Sequence, residues 1–277
     1  MIHWLHTFHP QAIFLTLGPI NIYWYGLFMV SGMLIALAIS LKLSEFYKIT
    51  KDDLFDLAFW LIINGLVGAR LYDVCLQLPY YLNKPLDVFK IWQGGLAIHG
   101  AIFAGLVTIY FFAKKHKLHF WKLCALIVPG LSLAQALGRW GNYFNQEIFG
   151  LPTNLPWGIP IDIINRPINY ISSEFFHPTF LYESLGSLII FFVLSAINIY
   201  LIKKNKLNNN SYIIIASIYV LLYSILRLGL EFIRLDDAPS FLSLRWPQFI
   251  SLILIIISTK ILISHKNDKH LQAQINN

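Results

Sequence analysis

The chain predicts an all-α, polytopic membrane protein with about seven transmembrane helices, and three observations carry that prediction. Apolar residues make up 57% of the 277 and charged residues only 13%, whereas a soluble domain carries about 25% charged residues. The charges cluster between long uncharged runs instead of being scattered. Seven of those runs approach the roughly 20 residues that a helix needs to cross a hydrocarbon core.

The first run, Ile20 to Leu41, follows a stretch, Met1 to Pro10, that lacks a basic n-region. It is too long for a cleaved signal core and reads as a retained span. The others fall at Leu54 to Ala69, Leu96 to Ala113, Leu123 to Leu137, Phe180 to Ile202, Tyr212 to Leu230 and Phe249 to Ile263. The second and fourth read as short helices that end at arginines, Arg70 and Arg139. From Gly141 to Pro178 the chain is polar and carries Pro152, Pro156, Pro160 and Pro167. This predicts a small ordered excursion outside the membrane, residues 141–178, within a single integral membrane domain covering 1–277. The tail from Ser264 to Asn277 reads as a solvated end.

Lys and Arg, 21 in all, divide 13 to 8 between alternate loops, which predicts an N-out, C-in orientation with the richer side cytoplasmic. The identities divide too. The richer side holds only lysine, and all six arginines (Arg70, Arg139, Arg166, Arg227, Arg234 and Arg245) lie opposite. A guanidinium is a planar fork of donors suited to phosphate oxygens, so an anionic headgroup on the outer side is the expected ligand. The net charge of +7 sits mostly in short inter-helical loops, a pattern for anionic lipid and not for nucleic acid. Cys75 and Cys124 are far apart with no CxxC spacing, which suggests neither a metal clip nor a disulfide framework.

Four clusters are candidates for chemistry. In Gly138 to Gly150, helical spacing puts Arg139, Asn142 and Gln146 on one face, with Glu147 close behind. A charge at membrane depth costs about 2.5 to 3.5 kcal/mol on insertion scales, so function is the default reading; an arginine snorkelling to headgroups is the plainer one. Arg227, Glu231 and Arg234 follow at i, i+4 and i+7, so Glu231 is expected to hold both guanidiniums on one helix stripe, leaving one net positive charge. The plain alternative is an exposed salt-bridge ladder.

Gly94-Gly95 breaks the chain just before an apolar helix and places His99 in its first turn. A helix N-terminus disfavours further positive charge, so a ring able to accept a proton is expected there, against a packing histidine. His177-Pro178-Thr179 opens the fifth run, where Tyr182 and Glu183 either reach a ligand or cap the helix. Tyr23, Trp24 and Tyr25 read as an aromatic belt. There is no HExxH, GxSxG, P-loop or paired aspartate motif, so no metal, cofactor or enzyme-borne nucleophile is indicated.

Gly138 to Gly150 resembles the signature of bacterial prolipoprotein diacylglyceryl transferases. Trp24-Tyr25-Gly26, Gly68 to Arg70, Gly94-Gly95 with His99-Gly100, His177-Pro178-Thr179, Leu181-Tyr182-Glu183 and Arg227 to Arg234 fall in that family's order, over nearly the whole chain. The resemblance implies a seven-helix enzyme of the bacterial inner membrane with a periplasmic excursion. It implies transfer of the diacylglyceryl group from phosphatidylglycerol to the lipobox cysteine thiol of a prolipoprotein signal peptide. Glycerol 1-phosphate is released, as the first step of lipoprotein maturation.

By matching positions, the resemblance implies catalytic roles for Arg139 and Arg227, with His99 the candidate base, and phosphatidylglycerol binding by Arg139, Asn142, Gly150, Arg227, Glu231 and Arg234. Tyr25, Arg70, Glu147, His177, Tyr182 and Glu183 complete the site reading as supporting residues or substrate contacts. The nucleophilic sulfur then comes from the substrate. Departures from the family pattern are Ala101 and Phe180, where glycine and glutamine are usual, and Trp246-Pro247-Gln248 near the last helix. Rival readings of the same charges are a transporter for anionic solutes and a lipid-binding subunit without activity.

Overall fold

Capping chemistry sets the helix boundaries in the computed structural model, which describes residues 2–236, 238–241 and 244–275. Thr50 caps α3 (Lys51–Leu76) by accepting from the Asp53 N–H at 3.1 Å. Asn208 and Ser211 form a reciprocal box at the start of α8 (Asn209–Glu231). Three helices, α2 (Trp24–Ser44), α5 (Ile98–Lys115) and α7 (Thr179–Lys203), are followed by a residue in the left-handed region, Lys48, Lys117 and Asn205 respectively. The next N–H in each turn reaches back to an otherwise orphaned carbonyl: Ile49 to Ser44, Leu118 to Ala113, Lys206 to Leu201. The remaining helices are α1 (Ile2–Thr7), α4 (Leu78–Asn83), α6 (Phe120–Phe144) and α9 (Trp246–Ile275).

The all-α polytopic prediction holds. Among the described residues six helices, α2, α3 and α6 through α9, are long and apolar enough to cross a membrane. The remaining predicted run forms α5, 18 residues closed by Lys114 and Lys115. Strand is confined to small antiparallel pairs: β1 (Ile13–Leu17) with β2 (Ile20–Tyr23), β3 (Ile159–Pro160) with β4 (Phe175–Phe176), and β5 (Ser240–Phe241) with β6 (Leu244–Arg245).

Several boundaries differ from the sequence reading. The second and fourth spans are not short: α3 and α6 run for 26 and 25 residues, with Arg70 and Arg139 inside them. Arginine interrupts an apolar run but is a good helix former, so the backbone continues through it. The non-helical excursion therefore begins after Phe144 and not at Gly141. Ile20 to Tyr23 form a strand, so the first span starts at Trp24. Helix α9 continues to Ile275 through most of the tail read as a solvated end, and Asn276 and Asn277 lie outside the described residues.

The chain divides into two compact units, residues 40–126 and residues 1–39 with 127–277. In the first, α3 packs along α5 through Gly68 and Gly100; a Cβ on Gly68 would stand 2.7 Å from the Gly100 carbonyl oxygen. Asn64 donates to Thr108 across the same seam at 3.0 Å. The segment between these helices folds around Arg70. Its guanidinium donates to the carbonyls of Val88 (2.9 Å), Gly94 (2.7 Å) and Gly95 (2.9 Å) and to that of Asp87. Asp73, which accepts from Tyr81 at 2.8 Å, sits beside it.

Gly94 and Gly95 have φ of 93° and 72°, which glycine adopts without penalty. A Cβ on Gly95 would also stand 2.6 Å from Asp73 Oδ2 and would strike the Arg70 guanidinium. Gly95→Ala is therefore expected to cost about 1 to 3 kcal/mol from the backbone alone, and more through lost Arg70 hydrogen bonds. Thermal unfolding in lipid nanodiscs checks this, with Gly26→Ala, where a Cβ meets nothing within 4 Å, as the mild comparison.

In the second unit, α2 and α6 approach closely at Gly32 and Gly130, where a Cβ would stand 3.2 Å from the Ala134 carbonyl oxygen and 2.7 Å from that of Ala36. Ser184 of α7 donates to the Ala136 carbonyl at 2.8 Å. The segment between α6 and α7, together with α1, covers the C-terminal end of α6 and the N-terminal end of α7 with a small apolar core of Leu5, Tyr143, Phe149, Ile161, Phe176 and Phe180. Phe180 stacks on Tyr143 at 4.5 Å, so at this departure from the family pattern an aromatic ring fills the core.

Candidate active site

Within the second unit, the C-terminal ends of α6 and α8, the N-terminal end of α7 and the segment after α8 bring four guanidiniums onto three carboxylates. Glu183, in the second turn of α7, is the hub. Its Oε1 lies 2.5 Å from Arg139 Nη2 and accepts from the Tyr223 hydroxyl at 3.3 Å. Its Oε2 lies 3.5 Å from Arg234 Nη1 and 3.9 Å from Arg227 Nη1. Glu231, fully buried, is 2.9 Å from Arg227 Nη2 and 3.1 Å from Arg245 Nη1. Both approaches are off the N–H directions, so the pairing is Coulombic and not an aligned hydrogen bond. Asp236 completes the set, 2.7 Å from Arg234 Nε and 3.8 Å from Arg245 Nη2.

Four guanidiniums against three carboxylates leave one positive charge. The arginines are not equivalent. The Arg234 side chain is 4% exposed and held between Glu183 and Asp236, whereas Arg139 and Arg227 keep 22% and 18% of their side-chain surface open. Arg245 is 21% exposed, but its donors are spent on bracing: besides its two carboxylates it donates to the carbonyls of Glu231 (3.2 Å), Arg234 (2.9 Å) and Asp236. An anion approaching the cluster meets Arg139 and Arg227. Arg139 is further oriented by Asn142, whose Oδ1 accepts at 3.3 Å and whose amide donates to Glu147 at 2.8 Å.

Local sequence builds this arrangement at Gly150. Its N–H donates to the His177 carbonyl at 2.9 Å, and its backbone pairs with Arg234. A Cβ there would stand 2.8 Å from both His177 Cβ and the Ile233 carbonyl oxygen. Glycine thus allows three chain segments to close, and the closure draws Arg234 onto Glu183. The predicted single stripe through Arg227, Glu231 and Arg234 is corrected accordingly: α8 ends at Glu231, and Glu231 pairs with Arg227 and Arg245 instead of Arg234.

Other expected residues are placed nearby or elsewhere. Tyr25 packs against α6 at Gly141, where a Cβ would stand 2.7 Å from its ring. Gln146 leaves the Arg139 face because α6 has ended; it donates to the Pro10 carbonyl at 3.0 Å and to Asp162 at 2.7 Å, tying the N-terminal segment to the excursion. His177 and Tyr182 hydrogen-bond each other at 3.2 Å, and Trp157 donates to Tyr182 at 2.8 Å, which braces the excursion.

Arg70 and His99 belong to the other unit. Arg70 has four donors committed to carbonyls, the geometry of a brace and not of a phosphate ligand. His99 is exposed in the first turn of α5, its ring 6.0 Å from that of Tyr72. Cys75 and Cys124 are free and outside the cluster. Among the described residues no group of three His, Cys, Asp or Glu is placed to hold a metal ion.

Arg245, Asp236 and Tyr223 are members of the cluster that sequence reasoning did not single out. The signal for Arg245 was present in the expectation that every arginine lies on the lysine-poor side. Its N–H is held by Gln248 at 3.0 Å, so the Trp246-Pro247-Gln248 departure opens α9 and fixes this arginine.

A sequence model of the family described as prolipoprotein diacylglyceryl transferase matches residues 12–264, a span that contains every residue of the cluster. The chain belongs to that family. Relatives named phosphatidylglycerol--prolipoprotein diacylglyceryl transferase include one from Synechococcus elongatus, 40% identical over 249 residues that cover 89% of this chain and 84% of the relative. One from Synechocystis sp. is 39% identical over 254 residues, covering 90% and 87%. One from Prochlorococcus marinus is 40% identical over 269 residues, covering 88% and 89%. With its six span-length helices, the chain is a multi-pass membrane protein of a transferase family.

Asp236 gives the cluster a pH signature. Burial pushes its carboxyl up, but the Arg234 hydrogen bond and the charges of Arg234, Arg245 and Arg227 outweigh burial and hold it below the ordinary carboxylate value. A depressed carboxyl contributes stability that is present above its unfolded pKa and is lost as pH falls through the folded one. Asp236→Asn is therefore expected to lower the thermal midpoint at pH 7, by about 1 to 3 kcal/mol of stability through Arg234. The difference from the unsubstituted protein should vanish on acidification below the carboxylate range, as thermal scans across pH will show.

Proposed function

We propose that this chain transfers the diacylglyceryl group of phosphatidylglycerol to the lipobox cysteine thiol of prolipoproteins and releases glycerol 1-phosphate, in the bacterial inner membrane. One observation carries the reading: Arg139 and Arg227 share the Glu183 carboxylate, each with an open edge, in a cluster with one net positive charge. A phosphodiester carries one negative charge. In the reaction the substrate sulfur attacks the glyceryl carbon, a C–S bond forms and the C–O bond to phosphorus breaks. The departing phosphate then carries two negative charges, and guanidiniums fixed in a dry site stabilise the charge that develops.

In this reading Arg139 and Arg227 bind and stabilise the phosphate. Asn142, Glu147, Glu183, Glu231, Arg234 and Gly150 hold those two in place, and Tyr25, His177 and Tyr182 support the surrounding chain. Arg70 supports from its own unit. The count of lysines and arginines by alternate loops supports N-out and C-in, with the arginine-bearing side read as periplasmic and the lysine-rich side as cytoplasmic.

The thiol proton needs an acceptor, and His99, in the unit of residues 40–126, is the candidate that substitution tests. His99→Gln is expected to lower turnover; unchanged turnover would make the ring a packing residue. The reaction is tested with purified protein in phosphatidylglycerol micelles and two lipobox peptides, one with cysteine and one with serine in its place. The cysteine peptide should gain the mass of one diacylglyceryl unit and the serine peptide none. Solute flux without lipid turnover would support the transporter reading instead.

A further inference from the structure

The segment between α3 and α5 is ordered yet presents large apolar side chains outward. Leu82, Leu86, Phe89 and Trp92 are 72%, 74%, 74% and 76% exposed. Presenting such side chains to water forfeits about 1.5 to 3 kcal/mol each relative to burial. The four Arg70 hydrogen bonds fix residues 87–95 against α3, and Asp87 ties Tyr80 at 2.7 Å and Lys90 at 2.6 Å. The segment is therefore held with its apolar side out.

Two lysines lie on it. Lys90 is paired with Asp87, whereas Lys84, over the Tyr80 ring at 5.4 Å, has no carboxylate within pairing distance among the described residues. Helices α3 and α5 both run from here into apolar sequence, so a bilayer surface is adjacent to the segment.

We infer that residues 78–93 lie in the plane of the bilayer interface as an anchor locked by Arg70, with Leu82, Leu86, Phe89 and Trp92 among the upper acyl chains and Lys84 on the headgroup phosphate of an anionic phospholipid. Aromatic and lysine side chains are the residue types that favour this layer, the ring at the headgroup level and the ammonium snorkelling to it. An amphipathic element of this kind gains from apolar insertion and from anionic lipid together. The inference rests on the membrane placement of α3 and α5 and not on the transferase reading, so either one is able to fail alone.

The test uses the full chain in nanodiscs with Cys75→Ser and Cys124→Ser, and an environment-sensitive fluorophore on Leu86→Cys. Lipids carrying a spin label high on the acyl chain should quench the fluorophore, and aqueous iodide should not. Adding Lys84→Gln should raise the amount of spin-labelled phosphatidylglycerol needed for half-quenching about fivefold, the worth of one lysine at an anionic surface, and leave spin-labelled phosphatidylcholine unaffected. Quenching by iodide with silent lipid labels would overturn the inference. So would shielding that appears only when an apolar leader peptide is added, because the surface would then serve a peptide.

Discussion

Arg139→Lys is expected to lower diacylglyceryl transfer about 100- to 1,000-fold, the usual effect of removing one fixed donor from a site of developing negative charge. The reason is geometric. The guanidinium places Nη2 at 2.5 Å from Glu183 and Nη1 at 3.3 Å from Asn142 while part of it remains open. An ammonium keeps the charge but reaches only a subset of these points, and it lacks the planar fork that matches two phosphate oxygens. Folding should be little affected, because the lysine still supplies a positive charge to Glu183. Turnover and thermal midpoint measured on one preparation separate the two effects; full activity in the lysine variant would remove Arg139 from the phosphate.

Glu183→Gln is expected to cost more in stability than any other single change in the cluster, about 3 to 5 kcal/mol, because it strips a buried charge from its partners. Three guanidiniums lie within 3.9 Å of this carboxylate. Without it Arg234 keeps Asp236 as its carboxylate, Arg139 keeps no carboxylate and only the neutral partners Asn142 and Tyr223, and the positive charges repel each other at low dielectric. Glutamine preserves the shape, so the loss reports charge and not volume. Glu147→Gln is the contrast: that carboxylate is exposed and accepts from Asn142 and Asn145, and its loss should fall below about 1 kcal/mol. Thermal unfolding in nanodiscs gives both values.

Much of the fold was legible because a bilayer imposes a length and a polarity that sequence displays directly. The misreadings came from treating a charge as the end of a helix. At Arg70 and Arg139 the apolar run stops, but the hydrogen-bonded ladder does not. At Arg234 the reverse happened: helical spacing suggested a continuing stripe, whereas the chain had already left the helix and paired with Gly150.

The candidate site was visible as separate clusters, at Arg139 to Glu147, at Arg227 to Arg234 and at His177 to Glu183. Their union at Glu183 was not, since spacing along one element says nothing about which elements meet. For Arg70 the sequence left support and substrate contact open, because an arginine in an apolar context fits either, and four backbone carbonyls make it a brace.

The most direct test follows glycerol phosphate release and peptide mass together in one reaction of phosphatidylglycerol with a lipobox cysteine peptide, beside an Arg139→Ala control. One glycerol phosphate released for each diacylglyceryl group gained, with the control silent, is the predicted result. Lipid retained by the protein with neither product formed would contradict it.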